Sequence, residues 1–302
     1  MIPYDDRGLT LGDGLFETML VRDGELVLFD EHLKRMVAGC RVLGLPASDA
    51  AEARRVCEDA LHFPSPLAGE GGLRRRSDEG SHPPVGLALR SAASDRRATP
   101  HPSASLTPSP ARGEGRRFAV RLTLTAGSGG RGLDRPALPE ARLFATAAPA
   151  PRSEGPVTLT TVSIRRNEGS PTSRLKTLSY LDPILARREA GAGEALMLNN
   201  RGEIACAAAA NLFWLTDGVL RTPALACGVL EGIMRGQAIA AARALGMPVQ
   251  EVAAPRAALD GAQAIFLTNS LIGLRRVESL DGIALGDAPQ VSALAQALSA
   301  VS

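Results

Sequence analysis

The sequence predicts an α+β fold, and three observations lead there. Strand-like segments outnumber helical ones along the 302-residue chain. The helices fall between them without the regular strand–helix–strand alternation of a doubly wound sheet. The length also suffices for one large domain or two modest ones, with ample chain for a core. Apolar residues make up 45% of the chain but aromatics only 3%, so Ala, Leu, Val and Ile must build that core.

Taken in order, the opening "MIPYDDRGLT" lacks the basic-then-apolar pattern of a secretory leader. "ELVLF" (25–29) reads as a strand. "DEHLKRMVAGCRVLGLP" reads as a helix: Asp30 serves as N-cap, Leu33, Met36, Val37, Cys40 and Leu43 share a face, and Gly44 with Pro46 ends it. From Pro64 to about Arg116 the chain is rich in Pro, Ser, Gly and Arg and has almost no apolar periodicity. Such a composition cannot bury enough surface to offset ordering entropy, so a disordered insertion is expected at 64–116. His82 and His101 lie inside it, which weakens them as catalytic candidates.

Beyond the insertion, "RFAVRLTLT" (117–125) alternates as a half-buried strand should. "ARLFATAA", "VTLTTVSI", "EALMLN", "EIACAAAANLFWL" and "AIFLT" are also strand-like. Helices fit 183–190, with Asp182 as N-cap and Pro183 in the first turn, and 232–245. "APAPRSEGP" (148–156) reads as an interdomain linker.

Charge and cysteines exclude several classes. The net charge of +2 gives no argument for nucleic acid or an anionic membrane. The longest apolar stretch, "ACAAAANLFWL", is well short of the ~20 residues a bilayer helix needs. Cys40, Cys57, Cys206 and Cys227 show no CxxC spacing and no adjacent His, so reduced thiols are expected rather than a metal site. The expectation is a soluble, cytoplasmic protein.

Three motifs carry chemistry. "GSGGRG" (127–132) follows a strand and satisfies GxGxxG, but prolines at 136 and 139 forbid the helix that a dinucleotide turn requires. Its glycines instead suit a tight positive-φ loop with Arg131 at the tip, facing an anionic ligand or solvent. "GVLEGIMRGQAIAAARALG" (228–246) feeds a helix whose unpaired N–H groups offer a phosphate site. The third is a lysine. The chain has only Lys34 and Lys176 among its basic residues besides arginine and histidine. An amine loses a proton and attacks a carbonyl where a guanidinium does not. Lys176 stands beside Leu175 and a Leu178/Tyr180/Leu181 cluster, a setting that favours the neutral amine. It is either a Schiff-base lysine or a chance survivor of an arginine-rich composition.

Together these stretches resemble the class IV aminotransferases, the fold-type IV enzymes of pyridoxal 5'-phosphate (PLP). "DRGLTLGDGLFET" is similar to the family's opening, "FDEHLKRM" to its HLxRL element and "RLKTLSYL" to its lysine motif. "EALMLNNRGEI", "ANLFW", "TPAL", "GVLEGIMR" and "FLTNS" follow in the family's order. The resemblance implies a two-domain, D-amino-acid-aminotransferase-like fold: a small N-terminal domain over 1–148, a linker at 149–155 and a larger PLP-binding domain over 156–302. It implies that Lys176 joins PLP as a Schiff base and shuttles the proton, and that Arg35 holds the phosphate. Backbone N–H groups around Leu230 and Ile233 and the Ser270 hydroxyl complete the phosphate cup, and Tyr180 bonds the phenolic oxygen.

One departure stands out. Where the family places a glutamate against the pyridine nitrogen, this chain has Cys206. A thiol, with an ordinary pKa of about 8.5, is a poorer partner for that nitrogen than a carboxylate. Glu203 is three residues away, an odd offset that turns it to the opposite face of a strand. "GSGGRG" and "AANLFW" look most like 4-amino-4-deoxychorismate lyases, which release pyruvate and leave 4-aminobenzoate; Arg131 is then a candidate for a substrate carboxylate. "GLFETM" with Glu17 also resembles the D-amino-acid and branched-chain transaminases, which use 2-oxoglutarate. A PLP-binding protein of weak catalysis is the third reading, and a homodimer acting on an amino-acid-like substrate is implied throughout.

Overall fold

The computed structural model describes residues 2–62, 117–151 and 155–299. The expected insertion at 64–116, with His82 and His101, lies outside the described residues, as does the middle of the expected linker.

The first half of the fold comprises α1 (Arg7–Leu11), β1 (Gly14–Arg22), β2 (Glu25–Leu26), α2 (Phe29–Leu43), α3 (Ala50–His62), β3 (Arg117–Thr125) and β4 (Arg142–Pro149). Its strands form an antiparallel sheet in the order β2-β1-β3-β4. Helix α2 buries Phe29, His32, Met36, Gly39 and Cys40, the 3.6-residue stripe of an amphipathic helix. Gly39 lets α2 lie close on β1, since a Cβ there would stand 2.8 Å from the Leu15 side chain. Met19, Met36, Cys57, Val120 and Leu122 fill the core beneath. The helix ends at Gly44, whose φ of +63° is the left-handed cap expected of glycine.

The remainder comprises β5 (Val157–Arg166), α4 (Leu181–Ala190), β6 (Glu194–Asn199), β7 (Ile204–Ala207), β8 (Asn211–Thr216), β9 (Val219–Pro223), α5 (Ile233–Ala244), β10 (Val249–Val252), β11 (Ala264–Asn269), β12 (Gly273–Leu280), β13 (Ile283–Ala284) and α6 (Pro289–Ser299). A mixed nine-stranded sheet runs β10-β9-β8-β11-β12-β5-β6-β7, with β13 on β12. Helices α5 and α6 cover one face through Met234, Ala238, Val291 and Leu294 against Phe213 and Phe266. The other face buries Leu196, Leu212, Trp214 and Leu267. This is the expected α+β architecture.

Several local expectations need correction. "ELVLF" is not one strand. The strand covers only Glu25–Leu26, with a last bond from Val27 N–H to Leu20 C=O at 2.9 Å; Leu28 then turns the chain with a φ of +55°, and Phe29 already begins α2. The apolar run serves a helix start buried in the core, so its periodicity was that of neither element alone. Asp30 lies in the first turn of α2 and Asp182 in that of α4; the cap positions fall to Leu28 and Tyr180, which bond no backbone N–H through a side chain. "EIACAAAANLFWL" breaks into β7 and β8 at Ala208–Ala210, closed by Ala207 N–H donating to Ala210 C=O at 2.9 Å. Strand β3 alternates only over Val120, Arg121 and Leu122; from Leu122 to Thr125 every residue is buried, Thr125 donating to Asp6 at 2.9 Å.

Among the described residues no helix is long and apolar enough to cross a membrane. None of their His, Cys, Asp and Glu side chains form a group of three or more placed to hold a metal.

Candidate active site

The segment carrying Lys176 is stitched onto the edge of the first sheet. Phe16 N–H donates to the Lys176 carbonyl at 2.9 Å and Leu178 N–H to the Gly14 carbonyl at 3.1 Å. Leu15 and Thr177 form the bridge between them. This leaves the Lys176 side chain half-buried, its Nζ 3.2 Å from Tyr180 Oη and 4.3 Å from the centre of the Phe16 ring. Tyr180 meets the same ring edge-on, with centroids 5.1 Å apart. From β3, the Arg121 guanidinium stacks 3.5 Å from that centroid.

These groups open into a cavity of about 260 Å³. The β7–β8 alanines, the start of α5 and the β11–β12 turn form its other walls. Arg35, Arg121, Arg166 and Lys176 line it, and no Asp or Glu is among the lining residues. The charged side chains lining the cavity are therefore all cationic.

Arg35 is held rather than free. Its Nε and Nη2 donate to Glu17 at 2.8 and 2.5 Å, and its Nη1 to the Glu231 carbonyl at 2.9 Å. His32 Nδ1 also meets Glu17, at 2.7 Å, and both Glu17 and His32 are 1% exposed. Burial alone would raise the Glu17 carboxyl, but the Arg35 hydrogen bonds and charge, with those of His32, outweigh it and bring the pKa down to about 2. An ionised carboxylate only accepts, so the His32 nitrogen facing it carries the hydrogen.

At the far wall, Gly232 caps α5. A Cβ there would stand 1.9 Å from Asn211 Oδ1, so only glycine fits. Asn211 Nδ2 in turn donates to the Leu230 carbonyl at 2.9 Å. Asn269 fixes the opposite corner: its Oδ1 accepts from Leu271 and Ile272 N–H at 3.0 Å, and its Nδ2 donates to Ala209 C=O at 3.1 Å.

Of the residues singled out from the sequence, Arg35, Lys176, Tyr180, Cys206, Leu230, Ile233 and Ser270 all line this cavity. Cys206 is half-buried; burial pushes its thiol up against the opposing charge of Arg166. Glu203 precedes β7, across a register shift from Cys206, and accepts from Asn199 at 2.6 Å and Arg201 at 2.8 Å. Arg131 is not among the lining residues. It is exposed on the glycine loop, whose organiser is the buried Arg7, donating to the Leu133 and Asp134 carbonyls at 3.0 Å. Gly127, Gly129, Gly130 and Gly132 do take positive φ there.

Arg121, Arg166 and Thr268 were missed. Arg121 sits in a strand pattern where an exposed arginine reads as solvated. What exposes its role is register: it pairs with Thr18, two residues from Phe16, across a hundred residues of chain.

The α+β scaffold thus gathers one amine and three arginines in a cavity that the first residues of α5 also line. The chain belongs to the class IV aminotransferase family, whose model matches residues 14–72 and 103–280. It is 28% identical over 316 residues to a bifunctional aminodeoxychorismate lyase / D-amino acid transaminase of Mycobacterium tuberculosis, covering 99% of this chain and 93% of that one. It is 35% identical over 120 residues to the branched-chain-amino-acid aminotransferase of Escherichia coli, covering 39% of each. Its fold matches the PLP-bound form of a hypothetical aminotransferase from Mycobacterium tuberculosis with a TM-score of 0.74 at 23% identity, over 100% of this chain and 93% of that one.

Proposed function

We propose that this class IV enzyme uses PLP to convert 4-amino-4-deoxychorismate to 4-aminobenzoate and pyruvate. The observation that carries the reading is the cavity's charge: Arg121, Arg166 and Lys176 line it beside the Glu17-paired Arg35, with no acid among its lining residues. A phosphate ester and a substrate carboxylate suit such a lining. The relative matched over nearly the whole chain carries the lyase name, alongside a transaminase name.

The residues present fit the cofactor. Arg35 and the α5 N-terminus at Leu230–Ile233, with Ser270 beside them, suit its phosphate. Lys176 is the nucleophile for its aldehyde, with Tyr180 within hydrogen-bond reach of that amine. When bound, PLP supplies the electron sink for bond cleavage next to the substrate nitrogen. Lys176 then carries the proton, its amine packed against the Phe16 ring. Cys206 stands at the ring-nitrogen position of the family pattern and donates only weakly there. Aromatisation of the product lowers the demand on that sink.

Arg121 takes a substrate carboxylate in this reading. Arg131, on its exposed loop, does so only across the interface of a homodimer.

The second reading is transamination with 2-oxoglutarate, favoured by the bifunctional name of the same relative. A paired product assay decides. Purified protein with PLP is incubated with aminodeoxychorismate, and separately with D-alanine or leucine plus 2-oxoglutarate. Aminobenzoate supports the lyase and glutamate the transaminase; bound PLP with neither product rejects both.

A further inference from the structure

On the α5-facing side of β8 and β11, the cross-strand pairs form a ladder. Leu215 faces Ala264, then Phe213 faces Phe266 with rings stacked 4.9 Å apart, then Asn211 faces Thr268. Two apolar rungs are followed by a polar one. The change falls where α5 begins, since Asn211 holds the Leu230 carbonyl and abuts Gly232. The Asn211 amide is thereby used. The Thr268 hydroxyl is not: the residue is 1% exposed and its Oγ1 has no hydrogen-bond partner.

A buried hydroxyl without a partner is costly, and valine would pack equally well on a strand. Among the described residues, the other buried side-chain atoms without partners belong to His32, Arg117, Thr216 and Arg235, and none of these residues lines the cavity. Thr268 does. We infer that the Thr268 hydroxyl is a ligand-binding group, donating to a tetrahedral oxyanion held at the N-terminus of α5. If the cavity is the PLP site proposed above, on which only the ligand's identity rests, the oxyanion is the cofactor's phosphate. Thr268 would then hold it in addition to Ser270.

Thr268→Val removes the hydroxyl at nearly constant volume, and Thr268→Ser keeps it. Dissociation constants of the apo-protein are measured for PLP and for pyridoxal, which lacks the phosphate. Thr268→Val is expected to weaken PLP about 10- to 100-fold and leave pyridoxal unchanged, with Thr268→Ser within about threefold of wild type. Inorganic phosphate should raise the melting temperature of the wild type and not that of Thr268→Val. The apo variant should melt no lower than wild type, because no protein contact is lost. Equal loss of PLP and pyridoxal, unchanged PLP affinity or a large fall in apo stability would each overturn the inference. A wild type that ignores PLP but is protected by phosphate through Thr268 would reject the cofactor reading and keep this one. Indifference to both ligands rejects both.

Discussion

The Lys176 amine and the Tyr180 hydroxyl stand 3.2 Å apart, and both press on one phenylalanine ring. The amine meets an aromatic face and a single hydroxyl, no carboxylate lines the cavity, and in the proposed reading it is the nucleophile for the cofactor's aldehyde. Lys176→Arg keeps the charge and removes the chemistry. Turnover should fall by about 10³-fold or more. Borohydride treatment of the PLP-loaded variant should leave no cofactor covalently attached, which mass spectrometry checks.

Glu17 links stability to acidity. Its folded pKa of about 2 lies below the ordinary 4.5. A depressed carboxyl contributes stability that is fully present above the unfolded value and is lost as pH falls through the folded one. The contribution is about 3 kcal/mol at neutral pH. Glu17→Gln should therefore be markedly less stable than wild type in urea at pH 7. The gap should narrow steadily between pH 4.5 and 2. A gap that does not change with pH would show that the carboxylate charge is irrelevant.

In the proposed reading Cys206 would meet the cofactor's ring nitrogen as a neutral thiol, since burial raises its pKa. Cys206→Glu places a carboxylate in the field of Arg166 and should raise kcat several-fold, read in the product assay at saturating PLP. An unchanged or reduced rate counts against a weakened electron sink.

Arg121 should act on substrate rather than on cofactor. Arg121→Gln is expected to raise KM for a dicarboxylate substrate about tenfold with a smaller effect on kcat, and to leave PLP affinity as it is. Loss of PLP affinity would place the guanidinium on the cofactor instead.

Much of this was legible because it is local. The α2 stripe, its Gly44 cap and the Gly232 entry to α5 each depend on neighbours a few residues away. Lys176 was conspicuous through the scarcity of its residue type. What remained hidden depends on tertiary pairing. Arg121 joins the site by its register with Thr18, and Thr268 by its register with Asn211. Arg131 looked like the business end of the glycine loop because nothing in the sequence reveals Arg7 buried at its centre. "ELVLF" failed for a similar reason: an unglycinated left-handed turn at Leu28 has no sequence signature.

The backbone bond from Phe16 to Lys176 has a consequence for anyone who would divide this molecule. A chain severed between β4 and β5 leaves the reactive amine on one fragment and the strand that steadies it on the other. Neither piece alone contains a finished catalyst; only their reunion would.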